Sequence, residues 1–216
     1  MKEESRIQTS TPKQQKAAPL PADAGQPKPQ DRRVRKTKAQ LRRCLAELMK
    51  TKKVNEITVK ELTDLSDLNR GTFYLHYRDV FDLLEQSEQE LIQEFEETLS
   101  RFDFAKMKNH PAAIFEEVYS LVADNREFVG RLIGENGDMN FIMQLRRIVE
   151  QRCLKSLMDS YRIRQPEYFN IYFKYLLSGC IGIIQYWLQT GCAESPRELA
   201  VMTERIVTEG IQVLEE

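Results

Sequence analysis

The sequence predicts an all-α protein. Beyond residue 32 apolar residues recur every three or four positions, no run alternates apolar and polar residues long enough for a sheet, and turn punctuation is sparse. A length of 216 residues fits one small domain joined to a larger one. With 41% hydrophobic residues the chain can build a core, and with 30% charged residues it reads as soluble.

The elements follow in order. Residues 1–30 hold five of the eight prolines, among Gln, Ala, Lys and Ser. Such a composition cannot offset its own ordering entropy, so residues 1–31 read as a disordered, Pro-rich basic arm. The first helix spans 33–52, with Val34, Leu41, Cys44, Leu45, Leu48 and Met49 on one face. Thr58 and Glu61 form a capping box that starts a short second helix on Val59, Leu62 and Leu65. Ser66, Asp67 and Leu68 make a turn, and Asn69 caps a third helix over 70–77. Asp79 caps a long fourth helix, with Asp82 at its third position, where a carboxylate favours a helix N-terminus. It continues to about residue 102.

Further helices complete the chain. Pro111 opens one that reaches about 123, and Asn125 caps a short one through 133. Gly134 and Gly137 separate it from a helix over 138–161. Pro166 opens an apolar helix that Gly191 closes. Ser195, Pro196 and Glu198 start the last, which Ile206, Val207, Ile211 and Leu214 carry nearly to the end. Residues 168–188 carry a single charge, Lys174, but also Asn170, Ser178 and Gln185. We read that helix as buried in a core or an interface rather than as a membrane span.

Charge is distributed unevenly. Residues 28–53 hold eleven Lys or Arg against two acidic residues, Asp31 and Glu47, while the chain as a whole is at −1. A basic segment ahead of an acidic body suits contact with a polyanion at one end. The four cysteines, Cys44, Cys153, Cys180 and Cys192, show no metal spacing and no CxxC, as expected of reduced thiols in a cytoplasmic protein. The first 30 residues contain no apolar segment of the kind found in a signal peptide. There is no Gly-rich phosphate loop, no HExxH and no Cys/His pair, and no carboxylates converge near His76 or His110. The expectation is therefore no enzyme, no cofactor and no metal.

Two short helices joined by a three- or four-residue turn form a helix-turn-helix pattern, whose second helix fits the major groove of double-stranded DNA. By itself the pattern is weak, but the residues ITVKELTDLSDLN followed by RGTFYLHYRD resemble the N-terminal domain of the TetR/AcrR family of transcriptional regulators over about residues 36–85. The helical remainder is similar to that family's ligand-sensing and dimerising domain. In particular, YFNIYFKYLLSGCIGIIQYWLQTG followed by SPRELA resembles the last two helices of one regulator subgroup. The resemblance implies a helix-turn-helix DNA-binding domain over 32–80 and a helical regulatory and dimerisation domain over 81–216.

It also implies roles. Thr58 and Lys60 would touch phosphate or a groove edge; Asn69 and Arg70 open the recognition helix. Arg70 suits a bidentate contact to guanine. Gly71 allows close approach to DNA, and Thr72 suits a phosphate or a thymine methyl. Tyr74 and His76 match phosphate-holding positions, and Phe73 matches a core position. Two positions depart from the family pattern. Asp67 stands where the family usually has Gly in the turn, and Val80 where it usually has Lys aimed at phosphate. Arg78, the N-terminus of the fourth helix, and the basic run Arg32, Arg33, Arg35, Lys36 and Lys38, acting as an arm in the minor groove, are expected to compensate.

One recognition helix covers too few base pairs for specificity, so a homodimer reading a palindromic operator is expected. Ile171, Leu177, Ile181, Ile184 and Leu188, with Ile206 and Ile211, offer the apolar dimer surface, and Gly179 and Gly182 allow close approach. The middle helices would hold an unknown small-molecule effector, lined by Met107, Phe115, Tyr119, Met139, Phe141, Met143, Tyr168, Tyr172 and Tyr175. The resulting expectation is a ligand-responsive repressor, cytoplasmic and bound to the bacterial nucleoid. The alternative is a protein of this fold that has lost DNA binding and serves as a protein–protein adaptor or co-activator.

Overall fold

The computed structural model describes residues 29–104, 111–134, 137–160 and 166–212. Among the described residues the chain is helical and contains no strand. Helix α1 is Pro29–Leu48, followed by a 3-10 turn at Val54–Glu56; α2 is Val59–Ser66 and α3 Arg70–Tyr74. Helix α4, Val80–Ser100, leads into α5 at Ala112–Asp124 and α6 at Arg126–Ile133. Helix α7 is Met139–Val149, continued by a π turn at Glu150–Leu154 and by α8 at Lys155–Ser160. Helices α9, Pro166–Gln189, and α10, Pro196–Gln212, end the chain.

Local signals set these boundaries. Thr58 Oγ1 accepts from Glu61 N at 3.2 Å while Thr58 N donates to Glu61 Oε2 at 2.9 Å. Asn69 Oδ1 accepts from Gly71 N at 2.7 Å, and Asp79 Oδ1 from Asp82 N at 2.8 Å. Ser195 and Glu198 repeat the capping box at α10. Asp67 ends α2 in the left-handed conformation, φ 51°, letting Leu68 N donate back to Thr63 O at 3.0 Å.

Some boundaries differ from the expectation. Helix α1 begins earlier, so Arg32, Arg33, Arg35, Lys36 and Lys38 lie on a helix and not on an extended arm. The regular part of α3 stops at Tyr74, because Tyr77 N and His76 N bond to Phe73 O at 3.0 and 2.9 Å, closing a last turn. Asn125 does not cap α6 with its side chain: Nδ2 donates to Leu121 O at 3.0 Å and closes α5 instead. The expected helix over 138–161 is broken in phase by the π turn, which adds a residue to one turn.

One buried cluster runs through both halves of the molecule. Leu41 and Leu45 of α1 meet Leu62, Phe73, Tyr77 and Leu83, and the same cluster continues to Tyr119, Leu132, Phe141 and Trp187. A smaller cluster holds Cys153, Phe169 and Phe173. Helix α1 packs on α6 as well as on α2 and α4, and α5 lies along α10, where the Tyr119 and Thr203 hydroxyls are 2.7 Å apart. The helix-turn-helix therefore sits on the larger helical body through a shared core. No helix among the described residues is long and apolar enough to cross a membrane.

Candidate nucleic-acid interface and effector cavity

Helix α3, the expected recognition helix, is anchored from below and bare above. Phe73 and Tyr77 are buried, their rings 5.7 Å apart, while Asn69, Arg70, Gly71 and Tyr74 are exposed. Thr72 and His76 are half-buried at the rim. Tyr74 is 58% exposed and stands edge-on to Phe73 at 5.5 Å, so the phenol projects outward from a fixed base. A Cβ on Gly71 would lie 3.3 Å from Asn69 Oδ1, so glycine leaves room for the cap that starts the helix. Lys60 is exposed in the first turn of α2, between the capping residues Thr58 and Glu61.

Several of the expected contact residues also serve the fold. The Thr58 hydroxyl donates to Glu61 Oε2 at 2.8 Å, and Glu61 also pairs with Lys52. The Lys52 ammonium and then the Thr58 backbone and hydroxyl hold the Glu61 carboxyl down to about 2. Lys38 Nζ bonds Glu90 Oε1 at 2.6 Å and lies 5.8 Å from the Tyr77 ring centre, so it ties α1 to α4. Arg78 Nη2 bonds Asp82 Oδ1 at 3.1 Å, although the side chain remains 83% exposed. The Arg78 backbone N–H, then its guanidinium and Gln86, hold Asp82 down to about 2. Val80 is buried in the core and offers nothing to a phosphate. Arg35 and Lys36 lie exposed on the first turns of α1.

A second feature is a cavity of about 210 Å³ enclosed by α4, α5, α7 and α9, with Val207 of α10 at one wall. Phe115, Tyr119, Phe141 and Tyr172 line it. Met139, Met143, Tyr168 and Tyr175 do not: they are exposed, at 65%, 54%, 55% and 71%. The reason is helical phase, since Phe141, Leu145 and Val149 turn one face of α7 inward, and Phe169, Phe173 and Leu176 do the same for α9. Met107 lies outside the described residues.

Phase also separates the residues expected at a dimer surface. Leu177, Ile181 and Ile184 line the cavity, and Leu188 packs against the core. Ile171 and Ile206 are exposed, in the company of Tyr175, Tyr186, Val201 and Met202. Ile211 lies in the last turn of α10, and its side chain is outside the described residues. A Cβ on Gly179 or Gly182 would meet nothing within 4 Å, so nothing in the monomer requires these glycines.

Sequence reasoning missed Leu91, Phe95 and Arg146, all of which line the cavity. Arg146 carried a legible signal: it is four residues after Ile142 and three before Val149, at the exposed edge of the inward stripe of α7. Among the described residues no group of His, Cys, Asp and Glu is arranged to hold a metal ion.

Comparison with known proteins agrees with this architecture. A family model described as "Transcriptional regulator C-terminal region" matches residues 109–209. The HTH-type transcriptional regulator YxbF of Bacillus subtilis (strain 168) is 26% identical over 178 residues, which cover 79% of this chain and 44% of the relative. The chain thus spans less than half the length of that curated relative. Among solved structures, the fatty acid degradation regulator FadR of Bacillus halodurans superposes with a TM-score of 0.59 at 11% identity, covering 82% of this chain and 96% of its own. The dihydroxyacetone kinase operon activator DhaS gives 0.57 at 13%, covering 83% and 98%. A TetR transcriptional regulator from Streptococcus agalactiae gives 0.52 at 21%, covering 82% and 97%. At these identities the structures establish the shared fold.

Proposed function

We propose that this chain, which belongs to the TetR family of transcriptional regulators, represses by binding a palindromic operator as a homodimer and shifts its operator affinity when its cavity is filled. The observation that carries the DNA reading is α3 itself. A helix capped by Asn69 presents Arg70, Gly71 and Tyr74 outward from a buried Phe73–Tyr77 base. Its N-terminal residues are the ones that reach base edges when such a helix enters the major groove. Arg70 reads bases, while Lys60, Tyr74, Lys36 and the rim residues Thr72 and His76 hold phosphates. Residues 32–80 form the reading unit and residues 81–216 the sensing and dimerising unit.

Dimerisation uses the outward face of α9 and α10. Ile171, Tyr175 and Tyr186 on α9 and Val201, Met202 and Ile206 on α10 are exposed apolar side chains, and Gly179, Gly182, Tyr186 and Met202 line one surface hollow between the two helices. Gly179 and Gly182, open on that face, admit a partner helix closely. Two copies would place their α3 helices about 34–36 Å apart, or a multiple of that, as a palindrome requires. Such a protein works in the cytoplasm, on the chromosome.

The test is an electrophoretic shift with DNA upstream of the protein's own gene, followed by a footprint. Binding that is lost with Arg70→Ala and that protects a two-fold symmetric site supports the reading. A reporter whose expression rises when the gene is deleted supports repression. A second reading is an adaptor of this fold without DNA binding. It is favoured by one observation: Lys38, Arg78 and Thr58 are engaged by Glu90, Asp82 and Glu61, and Val80 is buried. A chromatin pull-down without enrichment of any sequence, with a stable protein partner, would favour the adaptor.

A further inference from the structure

The lining of the cavity narrows the chemistry of its occupant. Its walls are Leu, Ile, Val and Phe side chains, with few polar groups among them. Two phenols reach the wall, but the hydroxyl of each already has a partner within the protein. The Tyr119 hydroxyl shares a hydrogen bond with Thr203 Oγ1 at 2.7 Å, and Tyr172 donates to Val207 O at 2.6 Å. Burial pushes the Cys153 and Cys180 thiols up to about 12 and about 11, leaving them neutral. An occupant rich in hydroxyls or amides would therefore bury polar groups with few partners to meet them, which costs binding. That disfavours sugars, nucleosides and peptides.

Charge at the wall is sparse. Among the described residues that line the cavity, Arg146 is the only Lys, Arg, Asp or Glu, and it is exposed at the edge between α7 and α9. Its Nη2 reaches only Ser178 Oγ, at 3.4 Å, the long end for a hydrogen bond. Glu150, one turn further along, is turned toward Lys174 at 3.6 Å. Among the described residues no carboxylate pairs with Arg146. A guanidinium with no carboxylate partner among the described residues, beside an apolar chamber, matches an anionic head carried on an apolar tail, because a bidentate charge-assisted pair is the strongest contact it can make.

We propose that the cavity binds a monoanionic amphiphile of the medium-chain carboxylate class, its tail packed among Phe115, Phe141, Leu145 and Phe173 and its head held by Arg146. This rests on the ligand-responsive reading above but does not need the DNA reading. A cationic head would be repelled by Arg146, and a neutral head would gain nothing from it. Tail length is read by the apolar wall, so each two-carbon extension should tighten binding roughly ten-fold until the chamber is full.

The chain supplies its own reporter. Trp187 is the single tryptophan, buried, with its ring centre 5.8 Å from that of Tyr119 on the cavity wall. The experiment titrates the full-length protein, without DNA, with octanoate, decanoate and dodecanoate, and with decanol and decyltrimethylammonium as neutral and cationic controls. Trp187 emission is followed, and equilibrium dialysis of labelled decanoate checks each titration. Saturable decanoate binding at least ten-fold tighter than decanol, reduced to the decanol level in Arg146→Gln and largely kept in Arg146→Lys, is the expected result. Equal affinity for decanol and decanoate, an unchanged decanoate affinity in Arg146→Gln, or no binding by either method overturns the proposal. A failed titration leaves operator binding untouched, and a failed operator shift leaves this titration standing.

Discussion

Arg70 and Asp67 show how differently single residues act on this surface. Arg70 is exposed at the first position of α3, with its neighbours spent on capping and packing. If it reads guanine, Arg70→Ala should cost about 1–3 kcal/mol of operator affinity and relax the preference at one base pair per half-site. Competition shifts with a panel of single-base operator variants measure both; a uniform loss across the panel would assign Arg70 to a phosphate instead. Asp67 acts through the backbone. At φ 51° it occupies the conformation that glycine adopts with least strain. Asp67→Gly should therefore raise stability by up to about 1 kcal/mol, and Asp67→Val should lower it by about as much or more, in urea melts. The turn was legible because the capping box at Thr58 and the cap at Asn69 fix both its ends within a few residues; its left-handed conformation was signalled only by the resemblance, which places glycine at Asp67. The role of Lys38 was not. Its partner Glu90 lies 52 positions away, and no local pattern reports a contact at that separation.

Between α4 and α7, one carboxylate works against the fold. Glu88 has an Oε1 atom buried without a hydrogen-bond partner. Burial first, then the nearby Asp138 and Glu85 charges, push its carboxyl up to about 7 from 4.5. A raised acid pKa means that the folded state holds the proton more tightly than the unfolded one. No cost exists below pH 4.5; the cost grows as pH rises to about 7 and is constant above it. Glu88→Gln should thus stabilise the protein at pH 8 by about 1 kcal/mol, after allowing for partial solvent screening, and by nothing at pH 4.5. Glu61 and Asp82 have the opposite sign. Their folded-state carboxyls lie at about 2, below 4.5 and 3.8, so their contribution is complete at neutral pH and fades on acidification through that window. Denaturant midpoints of the wild type and Glu88→Gln at both pH values separate these effects. On α9 the difficulty is of another kind. The helix is apolar nearly all round, so composition announces burial but not which face meets the cavity and which meets a partner. In the structure Tyr175 and Tyr186 are exposed and outside the cavity lining, and theirs is the face we propose for a partner. Tyr186→Glu combined with Met202→Glu should convert a dimer to a species of 25.3 kDa by sedimentation, whereas Leu177→Ala should leave the dimer intact.

Across the whole molecule, the all-α class and the order of helices were legible from periodicity and caps, but the way the halves join was not. Domain boundaries drawn from motifs put a division near residue 80, yet Val80 is buried in a cluster that runs from Leu41 to Trp187. Helix α4 belongs to both parts: its first turn carries Val80 and Leu83 into the core beneath α3, and Leu91, Phe95 and Leu99 form one wall of the cavity. A rigid helix shared in this way can couple cavity to interface only if the occupied and empty states differ in operator affinity. Any such coupling is reciprocal: if a ligand changes DNA binding, DNA must change ligand binding by the same factor. Filling the cavity with protein tests this without relying on any particular ligand. Val118 faces the chamber from α5, and Val118→Phe would place a ring in open space. Overpacking a full core costs about 1–3 kcal/mol, but occupying a void removes that penalty. The expected result is an unchanged or raised melting temperature, operator affinity locked at the value of one state, and no further response to decanoate. A folded Val118→Phe protein whose operator affinity still responds to decanoate as the wild type does would place the effector site elsewhere in the molecule.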